Sequence, residues 1–282
     1  MGASLNPRLK NYSVLVIKYF ILTTYALTTF VPLWWTFSNS FRNNEQIFTQ
    51  IRLFPESFDF TNYINVFKST SIPQAFYNSI SITLVSLVGL LVVLVPCAYV
   101  LARYRFKGAY LLYMFFALSI FIPNITVLAS TFKLYQMLDL YGGKYGIAYT
   151  YIAHQLPFCV FLLVSYMRAI PVALEEAAII DGCRTRDLLL RIILPLSRNG
   201  IVTISILSFI SIWNDYIYAL ILLPKEQLRT LTVAAAFAKS EFLVDYGMMS
   251  AAVIITILPV IIIYLVLQDK IINGMAAGSV KG

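Results

Sequence analysis

The stretch EEAAIIDGCRTRDLLLRIILP, residues 175–195, sits between two long apolar runs. Acids and arginines crowd into it, whereas the flanking runs carry almost none. The chain has 282 residues, 60% of them hydrophobic and 12% charged, with a mean hydropathy of +0.79. A soluble domain of this size carries roughly twice that charge. Most of the chain therefore needs no aqueous surface, and residues 175–195 are an aqueous exception held between membrane segments.

Working outward, six apolar segments are candidate spans: 14–38, 78–102, 109–135, 146–168, 200–223 and 250–270. At ~1.5 Å rise per residue, about 20 residues cross a ~30 Å hydrocarbon core, so each is long enough, some with tilt. The first is expected to stay as an anchor, because its apolar run is long and no small-x-small site follows it. The expected class is an all-α polytopic membrane protein forming a single transmembrane domain, 1–282, with a cytoplasmic loop at 169–199. Lys and Arg set the orientation. Arg8, Lys10, Arg103, Arg105, Lys107, Arg168, Arg184, Arg186, Arg191, Arg198, Lys270 and Lys281 fall on one side in short segments. Basic residues on the other side are spread over longer loops and mixed with acids. The dense side is cytoplasmic, which places both termini there in a plasma or inner membrane. This topology accounts for the net charge of +8, so a nucleic-acid partner is not implied. Cys97, Cys159 and Cys183 form no CxxC pair, and neither a disulfide framework nor a metal site is expected.

Within the loop, IPVALEEAAIIDG reads as a helix with both ends marked. Pro171 suits a first turn, and Glu175 and Glu176 lie toward the N-terminal half, where the helix dipole tolerates anions. Ala177 and Ala178 are small and strongly helical, and Gly182 is suited to the left-handed conformation that ends a helix. Thr185 is the expected N-cap of a second helix whose apolar face holds Leu188, Leu189, Ile192 and Ile193. Asp181 opposes the dipole at its end of the first helix. It is a solvated residue, a local pair with Arg184 or Arg186, or a contact for a partner's cation or backbone amide.

Glu176-Ala177-Ala178, then Gly182, then Ile192-x-Leu194-Pro195 resembles the EAA motif of ABC importer permeases, with the spacing met at every anchor. NSISITLVS at the start of the second span, AYVLARYRFKG at its end, Ile122-Pro123, WND at 213–215 and the terminal GMAAGSVKG are similar to the MalG-like permeases of carbohydrate importers. The likeness is specific from about residue 76 onward. Cys183 stands where the family usually has alanine, and Asn199 where proline is common. The resemblance implies a six-helix type I, MetI-like permease fold. It implies that Glu175, Glu176, Ala177, Ala178, Asp181, Gly182, Arg184, Leu194 and Pro195 form a coupling element against a cytoplasmic ATPase dimer. It further implies a second, non-identical permease, an extracytoplasmic solute-binding protein and a sugar or oligosaccharide cargo. The tail is expected to reach the ATPase dimer, and the outer segment 224–249 to meet the binding protein or to serve as an amphipathic interfacial connector.

No phosphate loop of the form G-x-x-x-x-G-K-[ST] occurs, and GGKYG at 142–146 lacks the hydroxyl residue. ATP and magnesium are thus expected on another chain, with no cofactor, metal or catalytic residue on this one. Polar residues within spans usually face a bundle interior, which makes Asn124, His154, Gln155, Asn214 and Asp215 the candidates for a translocation path. Asp215 is either a snorkelling residue near the outer end or a hydrogen-bonding group in mid-bundle. The single histidine, His154, is expected to serve structure rather than proton relay, and Trp34, Trp35 and Trp213 to mark an interface or to pack. A permease for polyamines or glycerol phosphate shares the coupling loop and is the first alternative. A channel or proton-coupled carrier needs ionisable groups in several spans, and an intramembrane enzyme needs a nucleophile–base or metal cluster; neither pattern occurs.

Overall fold

The computed structural model describes the backbone of residues 7–50, 52–69, 71–241 and 245–279, and the side chains of 15–50, 52–68, 71–237 and 245–268. It is helical throughout the described residues. Two compact units emerge, Met1–Thr70 with Phe237–Ile255, and Ser71–Ala236 with Thr256–Gly282.

The first unit contains α1 (Pro7–Asn39), α2 (Asn44–Thr49) and α3 (Thr61–Ser69). Asn43 and Gln46 form a reciprocal capping box that starts α2. Thr61 donates two hydrogen bonds to the Asp59 carboxylate at the start of α3, which hold that carboxyl below its usual range. Trp34 packs as expected, stacked on Phe30 and edge-on to Phe54, and donates its indole N–H to the Leu53 carbonyl at 2.8 Å. Gly247 belongs to this unit because the carbonyl of Arg42 lies against it. A Cβ there would sit 2.2 Å from that oxygen.

The second unit is built on α4 (Ile72–Arg103) and α7 (Ile147–Ala169), which pack along each other as the central pair. Both contain a proline, Pro96 and Pro157, which spanning helices tolerate because neighbouring groups re-satisfy the freed carbonyls. Leu90, Leu94, Ala98 and Tyr99 of α4 meet Cys159, Val160, Leu163 and Met167 of α7 in one buried cluster. Around them lie α5 (Ala109–Ser119), α6 (Leu128–Met137), α8 (Ala173–Ile180), α9 (Thr185–Leu196), α10 (Arg198–Trp213), α11 (Ile217–Leu222) and α12 (Leu231–Glu241). Helix α13 (Tyr246–Ser279) runs toward the C-terminus.

Four helices are individually long and apolar enough to cross a membrane: Leu15–Asn39, Ile72–Arg103, Ile147–Ala169 and Tyr246–Gln268. They match the first, second, fourth and sixth expected spans. The other two expected spans are not continuous helices. The segment 109–135 breaks after Ser119 and turns by 98° into Asn124–Met137. Pro123 explains the break, because the residue before a proline is driven out of the helical region. The segment 200–223 breaks after Trp213, where Asn214 and Asp215 offer the backbone side-chain alternatives to a helix. At its start, α10 meets α9 at 74°. Counting each bent pair as one crossing gives up to six spans.

Candidate functional site

The loop 169–199 folds as helix, glycine, helix, with three local differences from expectation. Helix α8 begins at Ala173, so Pro171 lies just before it and accepts the Leu174 N–H at 3.3 Å. Arg184 holds the N-cap position of α9, Thr185 is its first helical residue, and no side chain caps it. Residues Leu188–Ile193 form a wide π turn inside α9, with the Leu194 N–H reaching back to the Leu189 carbonyl. Pro195 accounts for the widening. It has no N–H to donate, and its ring would strike the Arg191 carbonyl in a regular helix.

Gly182 ends α8 as the sequence implied, with φ +83°. Its N–H bonds the Ile179 carbonyl and that of Cys183 bonds the Ala178 carbonyl, both at 3.0 Å, which together make a Schellman closure. Ala178 of α8 and Leu188 and Ile193 of α9 join the α4–α7 cluster, so the loop is seated on the core. Leu194 is half-buried, while Pro195, Ala177, Asp181 and Arg184 are exposed.

The two adjacent glutamates part company. Glu176 is exposed. Glu175 is 5% exposed and pairs with Arg103, at the last turn of α4, through Nε and Oε1. Its second oxygen accepts the Tyr99 hydroxyl at 3.3 Å. Arg103 also donates from Nη2 to the Ile170 carbonyl at 2.9 Å, and Arg168 Nη2 reaches the Leu101 carbonyl at 3.3 Å. Removing one member of such a buried pair costs about 3–5 kcal/mol, because the other charge is left uncompensated. Next to the pair, a cleft of about 1130 Å³ opens between α8 and the ends of α4 and α5, with Arg105, Arg168, Arg184 and Glu176 on its walls. On the side of α8 turned from the core, Ile179 and Ile180 lie beside Glu176, with Ile180 85% exposed; Leu174 is exposed on the helix flank.

At the other end of the unit, a cavity of about 160 Å³ brings together Asn124, His154, Gln155 and Asp215 with Tyr151 and Tyr218. Asn124 and His154 also line an adjoining cavity of about 320 Å³ at the break between α5 and α6. Asn214 is exposed and lines neither. The two open readings of Asp215 resolve toward hydrogen bonding. Its Oδ2 accepts the Tyr151 hydroxyl at 2.8 Å and the Ala219 N–H at 3.0 Å, which caps the first turn of α11. Its carbonyl takes the Thr232 hydroxyl at 2.7 Å. His154 packs edge-on to Tyr218 at 4.7 Å, and Gln155 donates to Ser211 at 2.6 Å. Trp213 is buried, stacked on Phe209, with its indole N–H on the Thr256 carbonyl.

Sequence reasoning missed Arg103 and Tyr99, counting the first only as a topological charge. It also missed Asn78 and Ser79 at the start of α4. Asn78 donates to the carbonyls of Gln227 and Arg229 at 2.8 and 3.0 Å, and Ser79 accepts the Leu231 N–H at 2.7 Å. These two polar residues opening an apolar helix were the available signal. They pin the segment 227–231 to α4.

A family model described as "Binding-protein-dependent transport system inner membrane component" matches residues 94–276, which include the loop 169–199 and the lining of both cavities. The chain belongs to that family. This permease is 30% identical over 267 residues to the diacetylchitobiose uptake system permease protein NgcG of Streptomyces coelicolor, covering 94% of this chain and 88% of that one. It is 32% identical over 264 residues to the trehalose transport system permease protein SugB of Mycobacterium tuberculosis, covering 93% and 95%. A crystal structure of a bacterial ABC transporter involved in the import of the acidic polysaccharide alginate superposes with a TM-score of 0.78 at 24% identity, covering 95% of this permease and 99% of that chain. The fold of the permease is thus that of a type I, MetI-like importer.

Proposed function

We propose that this permease is one of two non-identical membrane subunits of an ATP-driven importer for a sugar or oligosaccharide, worked from the cytoplasm through α8. The observation that carries the reading is the outward face of α8. It presents Ile179 and Ile180 one turn from the exposed Glu176, on a short helix outside every spanning segment. Apolar side chains bared beside a charge call for a protein partner. Small alanines in the same helix allow close backbone approach. A helix closed by Pro171 and Gly182 is carried as a unit when an ATPase dimer closes, and the attached helices follow as a rigid-body switch.

The cargo assignment rests on the relatives, whose names give diacetylchitobiose and trehalose uptake. The polar cavity of about 160 Å³ and the adjoining one of about 320 Å³ stand at the small end of the ~300–1,000 Å³ range of ligand pockets. Their small size supports a path completed by a second permease. The segment pinned by Asn78 and Ser79 is the surface offered to a solute-binding protein; a second alginate transporter structure, with a TM-score of 0.68 at 17% identity, is a complex with such a periplasmic protein. ATP and magnesium belong to the ATPase chains, and both units of this chain serve one permease domain with cytoplasmic termini. The terminal residues 280–282 lie outside the described residues, and the docked tail is part of the same proposal.

The test is purification of the affinity-tagged permease from cells expressing its native partners, followed by uptake assays in proteoliposomes with a panel of labelled oligosaccharides. Co-elution of an ATPase and a second permease, with ATP-dependent uptake, is the expected result. A homogeneous lone chain that transports without ATP overturns it.

A further inference from the structure

We infer that Arg103 and Glu175 are a positioning pair that makes α8 and the end of α4 move as one body, so that force applied to α8 enters α4 directly. The inference rests on the coupling role proposed above and adds the path by which the motion leaves the coupling helix.

The covalent connections of α8 are poor transmitters. On one side, Ile170–Val172 joins it to α7 through a non-helical link. On the other, the chain leaves the helix at Gly182, φ +83°, and passes through the non-helical Cys183–Arg184 link before α9 begins. The only buried residues of α8 are Glu175 and Ala178. Ala178 is a smooth contact that resists compression and little else. Glu175 is different in kind. Both carboxylate oxygens are engaged, one by the Arg103 guanidinium and one by the Tyr99 hydroxyl, and both donors stand on the last turns of α4. The same guanidinium holds the Ile170 carbonyl ahead of α8. A single planar group therefore grips the helix at its first turn and the chain entering it. Charge-assisted hydrogen bonds in a fixed fork resist sliding as well as separation, and burial removes the screening that weakens such bonds at a surface.

The chain itself separates the two elements by 72 residues, passing through α5, α6 and α7. Without the pair, displacement of α8 reaches α4 only through packing. With it, α4, the longest helix of the central pair and the one that pins the 227–231 segment at its far end, is linked to α8 by a direct bond. The adjacent glutamates thus divide the work. Glu175 faces inward to α4, and Glu176 faces outward to the partner.

The experiment uses the whole transporter, co-expressed with its native partners and reconstituted in proteoliposomes. Uptake, ATP hydrolysis and retention of the ATPase during purification are measured on the same preparations. Glu175→Gln is expected to keep the ATPase in the complex while uptake per ATP hydrolysed falls about tenfold, the scale of a typical coupling free energy. The double exchange Arg103→Glu with Glu175→Arg is expected to recover part of that ratio relative to either single change, which a merely local packing role would not produce. Tyr99→Phe, which leaves the ion pair intact, guards against misfolding of the stronger variants and is expected to lower the ratio by a smaller factor. Spin labels at Val100→Cys and Ala173→Cys, both exposed positions, report the α4–α8 separation directly. That distance is expected to hold through the nucleotide cycle in the parent and to vary in Glu175→Gln. An unchanged uptake-to-hydrolysis ratio in Glu175→Gln, or loss of the ATPase from that complex, overturns the positioning role. A parent preparation that retains no ATPase overturns the coupling reading instead.

Discussion

Glu175 and Glu176 show how far a single side chain's role is set by what lies far away in sequence. Adjacent and identical in chemistry, they are separated by the phase of α8 and the presence of Arg103. The outward glutamate is the one expected to tolerate least in assembly. Glu176→Lys should leave the chain in the membrane and abolish uptake, with loss of the ATPase on purification as the readout. Gly182 makes a narrower demand. A side chain there meets no atom but must hold a left-handed backbone, so Gly182→Ala should weaken the α8 closure by about 1–2 kcal/mol. Faster hydrogen exchange at the Cys183 amide, whose carbonyl partner is Ala178, would register it. Asp215 is held by the Tyr151 hydroxyl and the Ala219 amide, as a cap is. Asp215→Asn keeps an acceptor and should preserve ATP-driven uptake. Asp215→Ala strands both donors, at about 1–3 kcal/mol for each buried one, and should lower thermal stability and uptake together. Abolished uptake in a well-folded Asp215→Asn protein would mark a proton-handling role in its place.

At the level of elements, the four long spans were legible because a run of apolar residues longer than the bilayer admits few other structures. The breaks were not, for hydropathy stays high through Ser119–Pro123, and the polar dip at Trp213–Ile217 is short enough to vanish in a span-length average, while the backbone turns. Pro123 and the Asn214–Asp215 pair carried the signal, which average hydropathy conceals. The candidate site divides similarly. The helix-glycine-helix plan of 173–196 was visible in local residue types, and four of the five polar path candidates do converge on one cavity. The partners that fix them, Arg103, Tyr99 and Tyr151, were not visible, since pairing across tens of residues follows from the packing of α4 on α7. The anchoring of 227–231 belongs to this scale. Asn78→Ala leaves the Gln227 and Arg229 carbonyls without their amide donor, and trypsin should cut after Lys225 and Arg229 faster than in the parent.

For the whole molecule, the orientation drawn from Lys and Arg has a direct check. A membrane-impermeant maleimide should label Lys107→Cys, in the exposed turn between α4 and α5, only in inside-out vesicles, and Lys225→Cys, exposed at the opposite end, only in right-side-out ones. Both labelling from one face would reverse or refute the topology. One local irregularity also has reach at this scale. The π turn in α9 inserts a surplus residue between α8 and α10. Each residue of an ordinary helix turns the chain by about 100°, so deleting Leu190 would swing everything upstream of it around the axis of α9 by about that angle. The handle would then point elsewhere while every residue of the motif was still present. Spacing in this family is thus an angular instruction, and an importer could be silenced by removing one leucine that touches neither cargo nor nucleotide.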